Sequence, residues 1–210
     1  SKTGYGESFG KFGGGDFASA GIKNNGWNFT DPNGNEIPFD ASANSGTPIH
    51  WHKTQPKWKF ETAAINSPYT LTEMWWNPRN DGKQNEHFAI TQGAFSSNMD
   101  TPAFTLTGMD EAKITFDQAY NLTTDATIRV VLLKNGVEYK ELDKITGPAS
   151  SGNYEGFGSG TPNVNDMSYD LGSYLGEANL KVRFEYTGVR RGDVWAVDNI
   201  KVPQLASIPR

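Results

Sequence analysis

An aspartate lies inside the most strand-like stretch of the chain, where apolar residues are expected. Residues 190–203 read Arg-Arg-Gly-Asp-Val-Trp-Ala-Val-Asp-Asn-Ile-Lys-Val-Pro, which is typical of a polar turn followed by a strand that Pro203 ends. Asp198 falls on the mostly apolar parity, together with Ala196 and Ile200. Burying a carboxylate is costly unless its charge is compensated. Asp198 therefore lies either at the rim of a sheet, hydrogen-bonded to backbone N–H groups, or beside a cation.

The loop at residues 31–36 carries side-chain oxygens at alternating positions. Its sequence is Asp-Pro-Asn-Gly-Asn-Glu, which resembles the start of a calcium-binding EF-hand loop. However, Glu36 stands where that loop needs glycine, and Ser42 stands where it needs a bidentate glutamate. The same residue types also form ordinary turns, and a plain turn is the favoured interpretation.

Two histidines at His50 and His52 flank Trp51. In an extended strand both imidazoles lie on one face, which is half of a transition-metal site. His87 is the only other histidine of the chain, and it is distant in sequence. A pair of exposed polar residues beside an aromatic is the commoner interpretation.

Two adjacent tryptophans, Trp75 and Trp76, precede a polar loop that contains Arg79 and Asn80. Neighbouring residues of a strand point to opposite faces, so one indole can pack in the core while the other remains available for binding. Exposed indoles stack on sugar rings and suit wet interfaces. These four residues, with Trp51 from the same tryptophan-rich part of the chain, are the candidate ligand surface. The alternative is that both rings pack beneath a loop.

Catalysis is the competing chemistry for this region. Glu73, Asp81 and Glu86 lie near His87 in sequence, and a pair of carboxyl groups could hydrolyse a polysaccharide if the two were about 5 to 10 Å apart. Neither Gly-x-Ser-x-Gly nor His-Glu-x-x-His occurs in the chain. A non-catalytic protein is therefore expected.

An integrin-type triplet, Arg191-Gly192-Asp193, precedes the last strand. Such triplets are frequent by chance, and glycine and aspartate are also the residues that a turn needs here. We expect a structural turn.

Composition indicates an all-β protein. The chain has 210 residues, 36% of them hydrophobic and 12% aromatic, with 23 glycines and 11 prolines, which suits many strands joined by tight turns. One β-sandwich domain spanning 1–210 is predicted, with a Gly-rich first strand and loop at 1–26 and a tail or linker at 204–210. The chain contains no cysteine, so disulfides and thiolate metal sites are excluded. A net charge of -5 argues against nucleic-acid binding, and no apolar run approaches the length of a membrane span.

The local signals are clearest in the second half of the chain. Asn135-Gly136 separates two strand-like runs and predicts a hairpin with a type I′ turn. Val182, Phe184 and Tyr186 alternate with charged residues, which predicts a half-buried strand.

Several blocks together resemble the cleaved-adhesin and choice-of-anchor J domains of secreted Bacteroidota proteins, relatives of MAM and galactose-binding-like jelly rolls. The blocks are Glu7-Ser8-Phe9-Gly10, Met99-Asp100-Thr101-Pro102-Ala103-Phe104, Ile114-Thr115-Phe116-Asp117-Gln118-Ala119-Tyr120, Tyr169-Asp170-Leu171 to Tyr174-Leu175-Gly176, and Val182-Arg183-Phe184-Glu185-Tyr186 to Trp195-Ala196-Val197-Asp198-Asn199-Ile200-Lys201-Val202. The tryptophan-rich insertion at 49–82 departs from the family pattern.

The resemblance implies an antiparallel β-sandwich of jelly-roll type, exported to the cell surface or the extracellular space as one module of a larger protein. It also implies a structural calcium near the first and last strands, with Glu7, Asp198 and Asp117 as ligands. The expected function is a non-catalytic adhesion or carbohydrate-binding module that recognises a glycan or a host or matrix protein. A polysaccharide-active enzyme and a purely structural spacer module are the alternatives.

Overall fold

A computed structural model describes the chain in seven segments. The backbone is described for residues 5–7, 26–36, 49–53, 57–61, 71–75, 89–151 and 165–204, and the side chains for 26–36, 89–151 and 166–204. Within these segments, no helix is long and apolar enough to cross a membrane.

The described segments form fourteen strands in two large sheets and one hairpin, and all the strand pairs among them are antiparallel. A seven-stranded sheet contains β1 (Tyr5–Glu7), β3 (Ile49–Lys53), β6 (Ala89–Gln92), β8 (Lys113–Leu122), β11 (Ala149–Ser151), β12 (Asn165–Asp170) and β14 (Val194–Val202). A five-stranded sheet contains β2 (Asn28–Thr30), β7 (Ser96–Asp100), β9 (Thr127–Lys134), β10 (Val137–Thr146) and β13 (Leu180–Thr187). The separate hairpin pairs β4 (Lys57–Glu61) with β5 (Leu71–Trp75).

The chain crosses repeatedly between the two large sheets. From β7 it passes to β8 in the other sheet, returns to β9 and β10, crosses to β11 and β12, returns to β13 and ends in β14. The order of strands is β10-β9-β13-β7-β2 in the five-stranded sheet and β11-β8-β14-β6-β3 along the main path of the other. This confirms the predicted all-β antiparallel sandwich of jelly-roll type.

The predicted hairpin is confirmed. β9 and β10 pair from Lys134 and Val137 at the turn, and the two residues between them have φ angles of 52° at Asn135 and 81° at Gly136. Both values are positive, as a type I′ turn requires, and this turn matches the right-handed twist of the flanking strands.

Alternating burial directs one face of each large sheet into a shared core. Val182, Phe184 and Tyr186 on β13 are fully buried, as predicted, and their neighbours are partly exposed. Opposite them lie Phe116 on β8 and Trp195 on β14, with the Phe184 ring centroid 5.0 Å from Phe116 and 5.7 Å from Trp195. Because Trp195 is buried, its indole N–H needs an acceptor, and Gln118 Oε1 accepts it at 2.9 Å. This hydrogen bond joins β8 to β14 within the core.

Candidate metal and ligand sites

A bulge in β14 determines where Asp198 lies. On β14 the register advances three residues, from Asp198 to Lys201, while β8 advances two, from Asp117 to Thr115. The extra residue is accommodated at Asn199, whose φ of 51° lies in the left-handed region that asparagine tolerates.

The bulge reverses the side-chain parity of the strand. Trp195 and Val197 contribute to the core before it, and Ile200 and Val202 do so after it. The predicted grouping of Asp198 with Ile200 on one parity is therefore wrong, because the inserted residue shifts the alternation by one position. Asp198 lies instead on the face of the seven-stranded sheet opposite the core.

Asp198 is paired directly with a second aspartate. Its register partner on β8 is Asp117, and both residues are 0% exposed. The full burial of Asp198 does not fit a solvent-exposed position. Asn199 Nδ2 donates to Asp117 Oδ2 at 2.8 Å, so the bulge itself supplies one contact to the pair. Like charges directly opposite each other in a sheet are destabilising, which makes this pair the strongest candidate cation site among the described side chains.

Glu7, the third predicted ligand, is placed near this pair by its backbone. β14 pairs along one edge with β6 at Val194–Val197 and with β1 at Ile200–Val202, and Glu7 is the register partner of Ile200. Asp198 and Asn199 therefore lie between the part of β14 that pairs with β6 and the part that pairs with β1. The side chain of Glu7 lies outside the described residues.

A cavity of about 570 Å³ opens at Asn199, whose side chain donates to Asp117, but neither Asp117 nor Asp198 lines it. Its polar lining includes Asn199, Thr115, Asp166 and Lys201. The described side chains contain no group of three or more His, Cys, Asp or Glu residues arranged around one point. Asp117 and Asp198 would therefore supply only part of a calcium shell, which takes six to eight oxygens. The remaining ligands would have to be carbonyls, waters or Glu7.

The loop at residues 31–36 is a turn, as favoured from its sequence. Asp31 Oδ1 accepts the backbone N–H groups of Asn33 and Asn35, each at 2.9 Å, and Asp31 Oδ2 accepts Asn35 Nδ2 at 3.0 Å. The carboxylate oxygens therefore close the loop on itself, which is the usual role of aspartate in such turns.

The integrin-type triplet is also structural. Asp193 is 0% exposed, and its carboxylate accepts three backbone N–H groups, from Thr123 at 2.6 Å and from Val189 and Arg190 at 2.8 Å each. It joins the loop after β8 to the loop before β14. Sequence reasoning expected a turn here but missed this buried role, because Thr123 is distant in sequence.

The predicted ligand surface is described only through backbone positions. Trp51 lies in β3, at an edge of the seven-stranded sheet, and Trp75 lies in β5 of the separate hairpin. These two predicted residues therefore belong to different sheets. Trp76, Arg79 and Asn80 lie outside the described residues, as do the side chains of Trp51 and Trp75.

The side chains of the predicted histidine pair and of the predicted catalytic residues are also outside the described residues. His50 and His52 lie in β3, and Glu73 lies in β5, with side chains outside the described set. Asp81, Glu86 and His87 fall outside the described residues. The histidine pair and the catalytic carboxylates stay predictions.

Comparison with known proteins identifies the fold. No protein-family model matches the sequence, and no curated protein matches it significantly. Among solved structures, the K1 cleaved adhesin domain of Lys-gingipain from Porphyromonas gingivalis W83 aligns with a TM-score of 0.53 at 14% identity, covering 98% of this chain and 99% of that domain. The chain has the cleaved adhesin fold.

Further solved structures align less closely. The K2 cleaved adhesin domain of Lys-gingipain gives a TM-score of 0.49 at 11% identity, covering 95% of this chain and 97% of that domain. CBM27-1 of Caldicellulosiruptor saccharolyticus, in complex with mannohexaose, gives 0.39 at 12% identity, covering 67% of this chain and 87% of that one. The predicted resemblance to cleaved adhesin domains is confirmed as a likeness of fold.

Proposed function

We propose that the chain is an exported, non-catalytic binding module with a structural calcium ion, and that it recognises a glycan or a host or matrix protein. The cleaved adhesin fold over nearly the whole chain supports a binding role at the cell surface or outside the cell. Domains of this kind work within longer proteins in the resembled family, so a multidomain parent chain is part of the proposal.

The observation that carries the calcium proposal is the pairing of two fully buried aspartates, Asp117 and Asp198, directly across β8 and β14. A divalent cation between them would replace repulsion by attraction to both carboxylates. Hard oxygen ligands are what calcium prefers, and the two carboxylates supply them. Such an ion would bind β8 to β14 at the bulge, where strand pairing is interrupted.

Glu7 is the proposed ligand from the first strand. Its register partner Ile200 lies two residues from Asp198 on β14 but faces the core, so the family resemblance, and not the register, carries this assignment. If its carboxylate joins the coordination, the ion would also hold the first strand to the last. The role of the calcium would then be to stabilise the fold, and ligand recognition would lie elsewhere.

For recognition we propose the tryptophan-bearing region, with Trp75, Trp76, Arg79, Asn80 and Trp51. Indole rings stack on sugars, and arginine and asparagine donate to hydroxyl groups around them. The same residue types are enriched at protein interfaces. Both ligand classes therefore fit this surface.

Binding to a glycan array and to a panel of matrix proteins tests the recognition proposal. Trp75→Ala and Trp76→Ala are compared with Trp58→Ala, a change of the same type in β4 of the same hairpin. We expect binding to be lost in at least one of the first two variants and kept in the control. Equal binding by all three variants and the wild type would remove these residues from the site. Release of reducing ends from polysaccharides would instead favour the enzyme alternative.

A further inference from the structure

Three of the exposed large apolar side chains lie around the turn between β9 and β10. Four large hydrophobic residues among those described are more than a third exposed: Val137 at 66%, Tyr139 at 46%, Val189 at 39% and Leu175 at 37%. Val137 and Tyr139 open β10 just after the hairpin turn, and Leu175 follows the 3-10 turn that precedes β13. An exposed cluster of this kind marks a binding surface more often than a single exposed residue does.

Tyr139 is held rigidly at the centre of this cluster. Its ring packs in a T-shaped contact with Tyr174, with the two centroids 5.6 Å apart, and Lys134 Nζ lies 5.3 Å from its centroid. Its hydroxyl donates to Glu177 Oε2 at 3.2 Å. Three neighbours thus fix an aromatic ring that nevertheless keeps nearly half of its surface in solvent.

The elements that carry the cluster are tied together by their turns. Asn135 N donates to Asn179 O at 3.0 Å, and Asn179 Nδ2 donates to Asn135 Oδ1 at 2.9 Å. The hairpin turn is therefore hydrogen-bonded to the segment that enters β13. A rigid support of this kind lowers the entropy that a ligand must overcome on binding.

The charges beside the ring neutralise each other. Lys134 Nζ lies 2.6 Å from Glu177 Oε1, so this surface presents a donor and an acceptor without a net charge. A neutral ligand with hydroxyl groups matches this pattern better than an anion or a cation does. The apolar area is also too small for a stable protein interface, which takes about 20–30 residues on each side.

We propose that a sugar ring of a neutral oligosaccharide binds here, on a surface that we call the Tyr139 platform. The platform consists of Lys134, Val137, Tyr139, Tyr174, Leu175 and Glu177. The apolar C–H face of the sugar stacks on the accessible surface of Tyr139, and sugar hydroxyls donate to Glu177 and accept from Lys134. This inference rests on the proposed function for the ligand class, and it adds a second site remote in sequence from the tryptophans.

The experiment measures binding to an array of neutral and anionic oligosaccharides, followed by calorimetric titration of the neutral ones that bind. Tyr139→Phe keeps the ring, Tyr139→Leu keeps apolar bulk without a flat ring, and Val189→Ala is the control at an exposed apolar site off the platform. We expect Tyr139→Phe to bind within about threefold of the wild type and Tyr139→Leu to bind about tenfold more weakly. Equal melting temperatures of the variants exclude misfolding as the cause.

The outcomes separate this inference from the proposed function. Wild-type affinity in Tyr139→Leu, with binding lost in Trp75→Ala or Trp76→Ala, would overturn the platform and leave the proposed glycan recognition intact. Exclusive binding to anionic glycans would also overturn the platform. No binding of the wild type to any glycan on the array would overturn both the platform and glycan recognition.

Discussion

Replacing Asp193 by asparagine changes one atom in a contact that joins two loops. The carboxylate accepts the backbone N–H of Thr123 through Oδ1 and those of Val189 and Arg190 through Oδ2. Asparagine has one acceptor oxygen, which can serve one side of this arrangement. Its NH₂ group must then face a backbone N–H donor on the other side.

The free energy of unfolding should therefore fall markedly. Each hydrogen bond to a charged group contributes about 1.5–3 kcal/mol, and an unsatisfied donor costs about 1–3 kcal/mol when it is buried. The three contacts are only partly buried, so water can reach some of the released groups. We expect about 2–3 kcal/mol for Asp193→Asn and about 3–5 kcal/mol for Asp193→Ala.

Urea unfolding at neutral pH measures this loss. The midpoint should shift while the slope with urea stays constant, because the surface exposed on unfolding is unchanged. Asp125→Asn is the matched control, since Asp125 is exposed in the nearby turn after β8 and has a φ of 71° that asparagine also adopts. The control should change stability by less than about 0.5 kcal/mol. A similarly small change in Asp193→Asn would refute the assignment of Asp193 as the bond between the two loops.

Three further predictions follow from burial in the described core. Gly188→Ala should destabilise the protein by at least about 2 kcal/mol in urea unfolding, because an added Cβ would lie 1.9 Å from Gly93 O. Trp195→Ala should cost about 3–5 kcal/mol by the same measurement, since the side chain is fully buried. Burial raises the pKa of Tyr120 and of Tyr169, and the hydrogen bond from Tyr169 to Asp143 raises the latter further. Both tyrosines therefore ionise at higher pH in the folded protein than the ordinary pKa of about 10. Their contribution to stability is fully present below that pH and is lost as the pH rises through their folded-state pKa values; absorbance titration should show both ionising at higher pH in the folded than in the unfolded protein.

Local patterns in the sequence predicted part of the fold correctly. The alternation of Val182, Phe184 and Tyr186 and the Asn135-Gly136 turn depend on neighbours along the chain, and the structure confirms both. Period-two burial and positive φ angles are local properties, so they can be read without knowledge of the partner strands.

The bulge at Asn199 could not be predicted in this way. A one-residue insertion in register depends on how β14 pairs with β8, and it moves Ile200 to the core face while Asp198 stays on the opposite face. The sequence does contain a signal, because asparagine tolerates positive φ and here follows the anomalous aspartate. The pairing of Asp198 with Asp117 was not predicted: the family resemblance implied only that both are calcium ligands, and no local pattern joins two residues so far apart.

Thermal unfolding with calcium and with EDTA tests the central claim, that a cation binds between Asp117 and Asp198. A ligand at 100 times its dissociation constant adds about 2.7 kcal/mol, which corresponds to about 5–11 °C in the melting temperature of a chain of this size. We expect calcium to raise the melting temperature by that amount in the wild type and in Asp110→Asn, an exposed control, and to have no effect in Asp198→Asn. An equal melting temperature of the wild type in calcium and in EDTA would contradict the claim.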